Sequence, residues 1–231
     1  MRILIKLSAE ALAGPKKQGF DEENALKVAR EIKKIADDGN EVLITVGAGN
    51  LWRGRSSSEE MDRFKTHQIG IMGTIMNAMF MAEVFKEIGQ DAIVQTPFPI
   101  SEITKVFIKE DANKALQENK IVIFGGGIGQ PFFSSDTAAI LRSIEMDCNK
   151  ILFAKNVDGV YDKDPNLFED AKKFDIITYE EVIKNNLKVI DLTASVLASE
   201  NNKDIYLFDL NKKDAIFNIL NGKNEGTIIK K

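Results

Sequence analysis

Short apolar runs alternate along the whole chain with longer stretches whose apolar residues recur every three or four positions. The runs at 2–7, 41–46, 91–95, 120–124, 150–154 and 204–208 predict strands. Ala25, Val28, Ala29, Ile32, Ile35 and Ala36 keep helical spacing behind Asp21, which can cap a helix, and Gly39 follows as a stop. A longer helix is predicted from about Thr66 to Ile88, with Ile69, Met72, Ile75, Met76, Met79, Phe80 and Val84 as an apolar face and Gly89 at its end. Its methionines suit a core or a subunit contact better than a ligand box. Thr178 and Glu181 form a capping box, Asp191 starts another helix, and 226–229 reads as a closing edge strand. Strands alternating with helices predict an α/β fold: a three-layer α/β/α sandwich with a largely parallel central sheet, in one compact domain.

Three of the predicted strands end in turns suited to phosphate. The run 121–124 passes through Gly125, Gly126, Gly127 and Gly129 into Ser134-Ser135-Asp136, where a helix begins. Glycines let backbone approach a ligand closely, and a helix N-terminus offers free N–H groups and a positive dipole end. Residues 2–7 lead into Lys6-Leu7-Ser8-Ala9-Glu10, a cation and a hydroxyl at the strand end, and 41–46 into Gly47-Ala48-Gly49-Asn50-Leu51-Trp52-Arg53-Gly54. Ligands of open α/β sheets bind outside the carboxyl ends of the strands, so three such turns can converge on one polyphosphate. A fourth segment, 156–165, is an acidic loop holding Tyr161; Asp-Gly and Asp-Pro favour a turn there, and its spacing does not fit a calcium loop.

Composition narrows the classes. A net charge of −4, with no long run of Lys or Arg, gives no footprint for nucleic acid. One cysteine, Cys148, excludes an internal disulfide, and one histidine, His67, leaves no histidine cluster for a transition metal, so no resident metal site is expected. No run approaches about 18 consecutive apolar residues, and Met1 leads directly into a strand, so no membrane segment is expected and the location expected is cytoplasmic. The P-loop pattern, the dinucleotide fingerprint, the hydrolase elbow and the protein-kinase catalytic loop are all missing.

KLSAEAL at 6–12, GAGNLWRG at 47–54, IGIMGTIMNAMFM at 69–81, PFFSSDTAA at 131–139, KNVDGVYDKDP at 155–165 and LKVIDLTASVLASEN at 187–201 together resemble the bacterial uridylate (UMP) kinases of the amino acid kinase superfamily, over essentially the full length. The resemblance implies transfer of the γ-phosphoryl group of ATP to UMP in pyrimidine nucleotide biosynthesis, Mg²⁺ arriving with ATP, and a homohexamer. It implies an acceptor-binding part at about 1–150 and a part for the nucleoside of ATP at about 151–231. Lys6 and Asp136 would be catalytic. Lys6, Leu7, Ser8, Ala9, Gly49 and Arg53 would hold the ATP phosphates, and Lys155, Tyr161 and Asp164 its nucleoside. Ala48, His67, Ile128, Gly129, Gln130, Pro131, Phe132, Phe133, Ser134 and Ser135 would form the UMP site. From the residues alone, Asp136 also reads as a simple N-cap, a role compatible with the catalytic one.

The chain departs from the family pattern at several of these positions. Ala9 and Ala48 stand where glycines are usual, which is unfavourable if φ must be positive. His67 stands where the family has an aspartate for the ribose, with Gln68 beside it. Ile128 and Gln130 replace a threonine and an asparagine, and the segment between Leu12 and Asp21 lacks the usual pattern. Three functions therefore compete: a UMP kinase with an altered acceptor pocket, a kinase of the same superfamily with another acceptor, and a nucleotide-binding regulator or storage protein without turnover. Retention of Lys6, Arg53 and Asp136 speaks against the third.

Overall fold

The computed structural model describes residues 1–52, 60–165, 167–187 and 189–231. Its strands are β1 (Arg2–Leu7), β2 (Glu41–Val46), β3 (Ala92–Thr96), β4 (Lys105–Val106), β5 (Ile121–Phe124), β6 (Lys150–Lys155), β7 (Val160–Tyr161), β8 (Lys173–Phe174), β9 (Ile176–Thr178), β10 (Ile205–Asp209) and β11 (Gly226–Lys230). Its α-helices are α1 (Glu10–Ala13), α2 (Glu22–Asp37), α3 (Arg63–Glu87), α4 (Lys109–Gln117), α5 (Ser135–Glu145), α6 (Tyr179–Lys184), α7 (Leu192–Glu200) and α8 (Ala215–Leu220).

Nine strands form one sheet in the order β4-β3-β5-β2-β1-β6-β10-β11-β9, and β7 and β8 form a separate hairpin. Every neighbouring pair in the large sheet is parallel except β10 with β11. The central strands are apolar on both faces, as a sheet covered on both sides requires. Ile3, Ile5 and Leu7 of β1 enter the cluster that packs α2, α3 and α8, while Leu4 enters the cluster of α4, α5, α6 and α7. Side chains alternate along a strand, so Lys6 emerges on the α5 face at the carboxyl end of β1.

The predicted central strands and capped helices form close to their expected limits. Asp21 caps α2 by accepting the Asn24 N–H, and Thr178 and Glu181 complete the capping box of α6. Two expectations need correction. The closing segment is not an edge: β11 lies between β10 and β9, and the three-residue β9 is the edge on that side. The long helix starts a turn earlier, capped by Asp62, and does not bury its apolar residues as one face. Ile75, Ala78, Met81, Val84 and Phe85 pack inward, while Ile69, Met72, Met76 and Met79 form an exposed stripe on the other side. By length and composition α3 is apolar enough to cross a membrane, and 44% of its most apolar window is buried against the rest of the fold.

Candidate active site

Because β5, β2 and β1 are parallel neighbours, their carboxyl-end turns lie side by side. A Cβ built on Gly47 would lie 3.6 Å from the Ala9 amide nitrogen and 3.7 Å from the Ser135 hydroxyl, so the three segments meet there. The long helix fixes two of the turns. Asn77, fully buried, donates to the Gly47 carbonyl at 2.6 Å and pairs its amide with that of Asn50. Thr74 accepts the Gly126 N–H at 2.8 Å. In the third turn glycine is obligatory: Gly126 and Gly129 have positive φ, and a Cβ on either would come within 2.9 Å of Pro97. Ala9 has φ −63°, and Ala48 is not among the positive-φ residues, so neither alanine carries the strain expected of it. The Ala48 methyl instead faces Gly73 of α3, where a Cβ would come within 3.0 Å of it.

Lys6, Asp136 and Lys155 form the charged centre. Lys6 Nζ lies 2.7 Å from Asp136 Oδ1, and Lys155 Nζ lies 3.4 Å from Oδ2, so the carboxylate is held between two ammonium groups. Both ammonium groups also lie over the Phe153 ring. Burial raises the Asp136 pKa, but Lys6 and Lys155 outweigh it and hold the carboxyl below its ordinary value. Burial pushes the Lys155 ammonium down; Asp136 opposes that shift and Lys6 adds to it. Asp136 is not the N-cap of α5. Ser134 is, accepting the N–H groups of Asp136 and Thr137 at 3.0 and 3.1 Å, which leaves the Asp136 side chain for the lysines. Ser134 donates in turn to Asp191, which also accepts from the Thr137 hydroxyl and caps α7 through Ala194. The Ser8 hydroxyl, two residues after Lys6, is buried and has no hydrogen-bond partner among the described residues.

Next to this centre an open cleft is lined by Ala48, Thr66, His67, Gly70, Ile71, Thr74, Gly127, Ile128, Gln130, Pro131, Phe133, Ser134 and Ser135. It gathers most of the sequence-derived acceptor residues. Gly129 and Phe132 stand outside the lining: Gly129 faces Pro97, and Phe132, with φ +71°, is exposed and packs its ring 4.7 Å from that of His67. Gln68, the other substitute for the missing carboxylate, is exposed and does not line the cleft. A separate hollow of about 410 Å³ between α2 and the β10–α8 segment shares no residue with these turns, so size does not mark the site.

Tyr161 sits on the β7–β8 hairpin, its hydroxyl donating to Asp158 at 2.7 Å, and Asp164 accepts the Leu167 and Phe168 N–H groups with its carbonyl. Lys155, grouped with them from sequence, instead reaches the Asp136 carboxylate and donates to the Val189 carbonyl. Arg53 lies outside the described residues. Among the described residues no group of three or more His, Cys, Asp and Glu is placed to hold a metal ion. Sequence alone does not mark Lys155 as a partner of Asp136, nor Asp191, Thr74 and Asn77 as supports. Asn77 and Thr74 left only polar positions in an otherwise apolar helix as a signal, and Asp191 read simply as a cap.

The amino acid kinase family model matches residues 1–209. Uridylate kinases of two strains of Streptococcus thermophilus are each 44% identical to the chain over 230 residues, covering 99% of it and 94% of the relative. Among solved structures, a UMP kinase from Bacillus anthracis superposes with a TM-score of 0.94 at 36% identity, covering 99% of this chain and 95% of that one. A UMP kinase from Ureaplasma parvum gives 0.93 at 33% identity, covering 100% and 99%.

Proposed function

The chain belongs to the amino acid kinase family and is a nucleoside monophosphate kinase, and we propose that it moves the γ-phosphoryl group of ATP to the 5′-phosphate of UMP, giving UDP and ADP for pyrimidine nucleotide supply in the cytoplasm. The observation that carries this is the Lys6–Asp136–Lys155 cluster at the meeting point of the three turns. An oxygen of the UMP phosphate attacks the γ-phosphorus, and the bond from that phosphorus to the β,γ-bridging oxygen breaks as ADP leaves. A phosphate monoester has its second pKa near about 6, so the attacking oxygen is already anionic at neutral pH and needs no general base. The enzyme's task is positioning and neutralising charge.

Lys6 and Lys155 supply two preorganised cations to the transferred group, and Asp136 holds both in place rather than removing a proton. The unpartnered Ser8 hydroxyl and the backbone of Leu7, Ala9 and Gly49 suit the ATP phosphates, because a phosphate oxygen would satisfy a buried donor that otherwise costs roughly 1–3 kcal/mol. Arg53 belongs with them by its place in the second turn. Mg²⁺ would come bound to the ATP phosphates, whose negative charge it offsets. The chemistry of the site fits that arrival, since the one central carboxylate already faces two lysines and forms no cage.

The acceptor would lie in the cleft walled by His67, Ile128, Gln130, Phe133 and Ser135, within the part spanning about 1–150, and the nucleoside of ATP on the hairpin within about 151–231. A different acceptor is the competing function, favoured by a cleft lining in which, among the described residues, His67 is the only ionisable side chain. The exposed stripe Ile69, Met72, Met76 and Met79 suits a subunit contact in a homohexamer; a monomer in sedimentation would remove that assembly. ATP consumption against a panel of nucleoside monophosphates separates the two acceptor functions: UMP should be the fastest, and an inert UMP beside another active acceptor rejects it.

A further inference from the structure

The hairpin that carries Tyr161 pairs with no strand of the main sheet and is held to it by the buried Val160 side chain, by Asp175, which joins β8 to β9 and accepts the Ile228 N–H, and by one further side chain. Thr227, on β11 and 1% exposed, bonds both of its strands with one hydroxyl. The hydroxyl accepts the Val160 N–H of β7 at 2.8 Å and donates to the Phe174 carbonyl of β8. Val160 and Phe174 face each other in the hairpin, so the bond grips the pair at one rung. Two glycines make room for it. A Cβ on Gly226 would come within 2.0 Å of the Leu207 carbonyl oxygen, so glycine there lets β11 approach β10 and sets Thr227 opposite Leu207. A Cβ on Gly159 would lie 2.7 Å from the Thr227 hydroxyl itself.

We propose that Thr227 is a positioning residue for the ATP-binding hairpin: its hydroxyl anchors Val160 and Phe174 to the main sheet and thereby sets where Tyr161 and Asp164 meet the nucleoside of ATP. This rests on assigning the hairpin to that nucleoside. Thr227 touches no reacting group, so its effect belongs in ATP binding and not in the chemical step.

Thr227→Val keeps the shape and removes the hydroxyl. The expected result is faster hydrogen exchange at the Val160 amide and a KM for ATP raised about five- to fiftyfold, with kcat and the KM for UMP within about twofold. Thr227→Ser restores the hydroxyl and should restore both readouts. Unchanged exchange at Val160 in Thr227→Val overturns the anchor. Faster exchange with an unchanged KM for ATP leaves the anchor standing, but overturns the assignment of the hairpin to ATP and with it the proposed role. If Thr227→Val does not fold, Gly159→Ala, whose methyl presses on the same hydroxyl and on the movable end of Lys173, should raise the KM for ATP with the same exchange signature at Val160; normal values for both overturn the proposal.

Discussion

Lys6 Nζ lies 2.7 Å from Oδ1 of Asp136, and the two side chains are 8% and 14% exposed. Lys6 is the penultimate residue of β1 and Asp136 lies in the first turn of α5, so the pair joins the first turn of the site to the third. A buried pair of this kind is weak evidence for stability, because desolvation offsets much of its attraction. Its value here is a cation fixed in direction before any ligand arrives, which is what stabilising developing phosphoryl charge demands.

Lys6→Ala should therefore lower kcat by about two to three orders of magnitude. Lys155 remains to pair with Asp136, so the fold should survive, as circular dichroism can verify. A well-folded variant with near-normal turnover would remove Lys6 from the chemistry.

Lys155 separates two proposed roles, one at the transferred phosphoryl group and one at the nucleoside of ATP. Its ammonium shares Asp136 with Lys6, so Lys155→Met should reduce kcat by at least about tenfold and change the KM for ATP much less. A rise in the KM for ATP alone would return Lys155 to the nucleoside.

The Asp136 carboxyl sets a pH dependence whose sign follows from its lowered pKa. In the unfolded chain the group titrates near about 3.9. Folding favours its ionised form, so the stabilisation is full above that pH and is lost as pH falls through the folded value. Urea midpoints measured across acid pH should show a steeper loss for the wild type than for Asp136→Asn. Parallel curves would mean that the two lysines do not favour the carboxylate as described.

What is legible in the sequence, in the fold and in the candidate site alike, is what rests on local signals. Apolar runs mark the central strands, Asp21, Thr178 and Asp191 mark helix starts, and glycines mark the turns. What escapes is short or distant. β4, β7, β8 and β9 have two or three residues each, too few to show a period. The bonds of Ser134 and Thr137 to Asp191, and of Thr227 to the hairpin, join residues more than fifty positions apart, and each of these side chains also fits a local role. The split of α3 into a buried and an exposed apolar side follows from the sheet it packs on, which periodicity alone does not reveal.

His67 is the clearest test of acceptor choice. It lines the cleft where the family resemblance places a carboxylate for the ribose, and Gln68 does not. His67→Asp should lower the KM for UMP about five- to tenfold, since a hydrogen bond to a charged group is worth more than a neutral one, and leave the KM for ATP unchanged. A weaker KM for UMP would show that the imidazole serves the acceptor better than a carboxylate.

Transfer from ATP to UMP can be read by following the label from ATP radiolabelled at the γ-phosphate, with Mg²⁺ and UMP present. The result expected is label in the β-phosphate of UDP, formed faster than from any other nucleoside monophosphate and all but abolished in Lys6→Ala. Label that stays in ATP, or appears in another acceptor while UMP at millimolar concentration remains unlabelled, would contradict it.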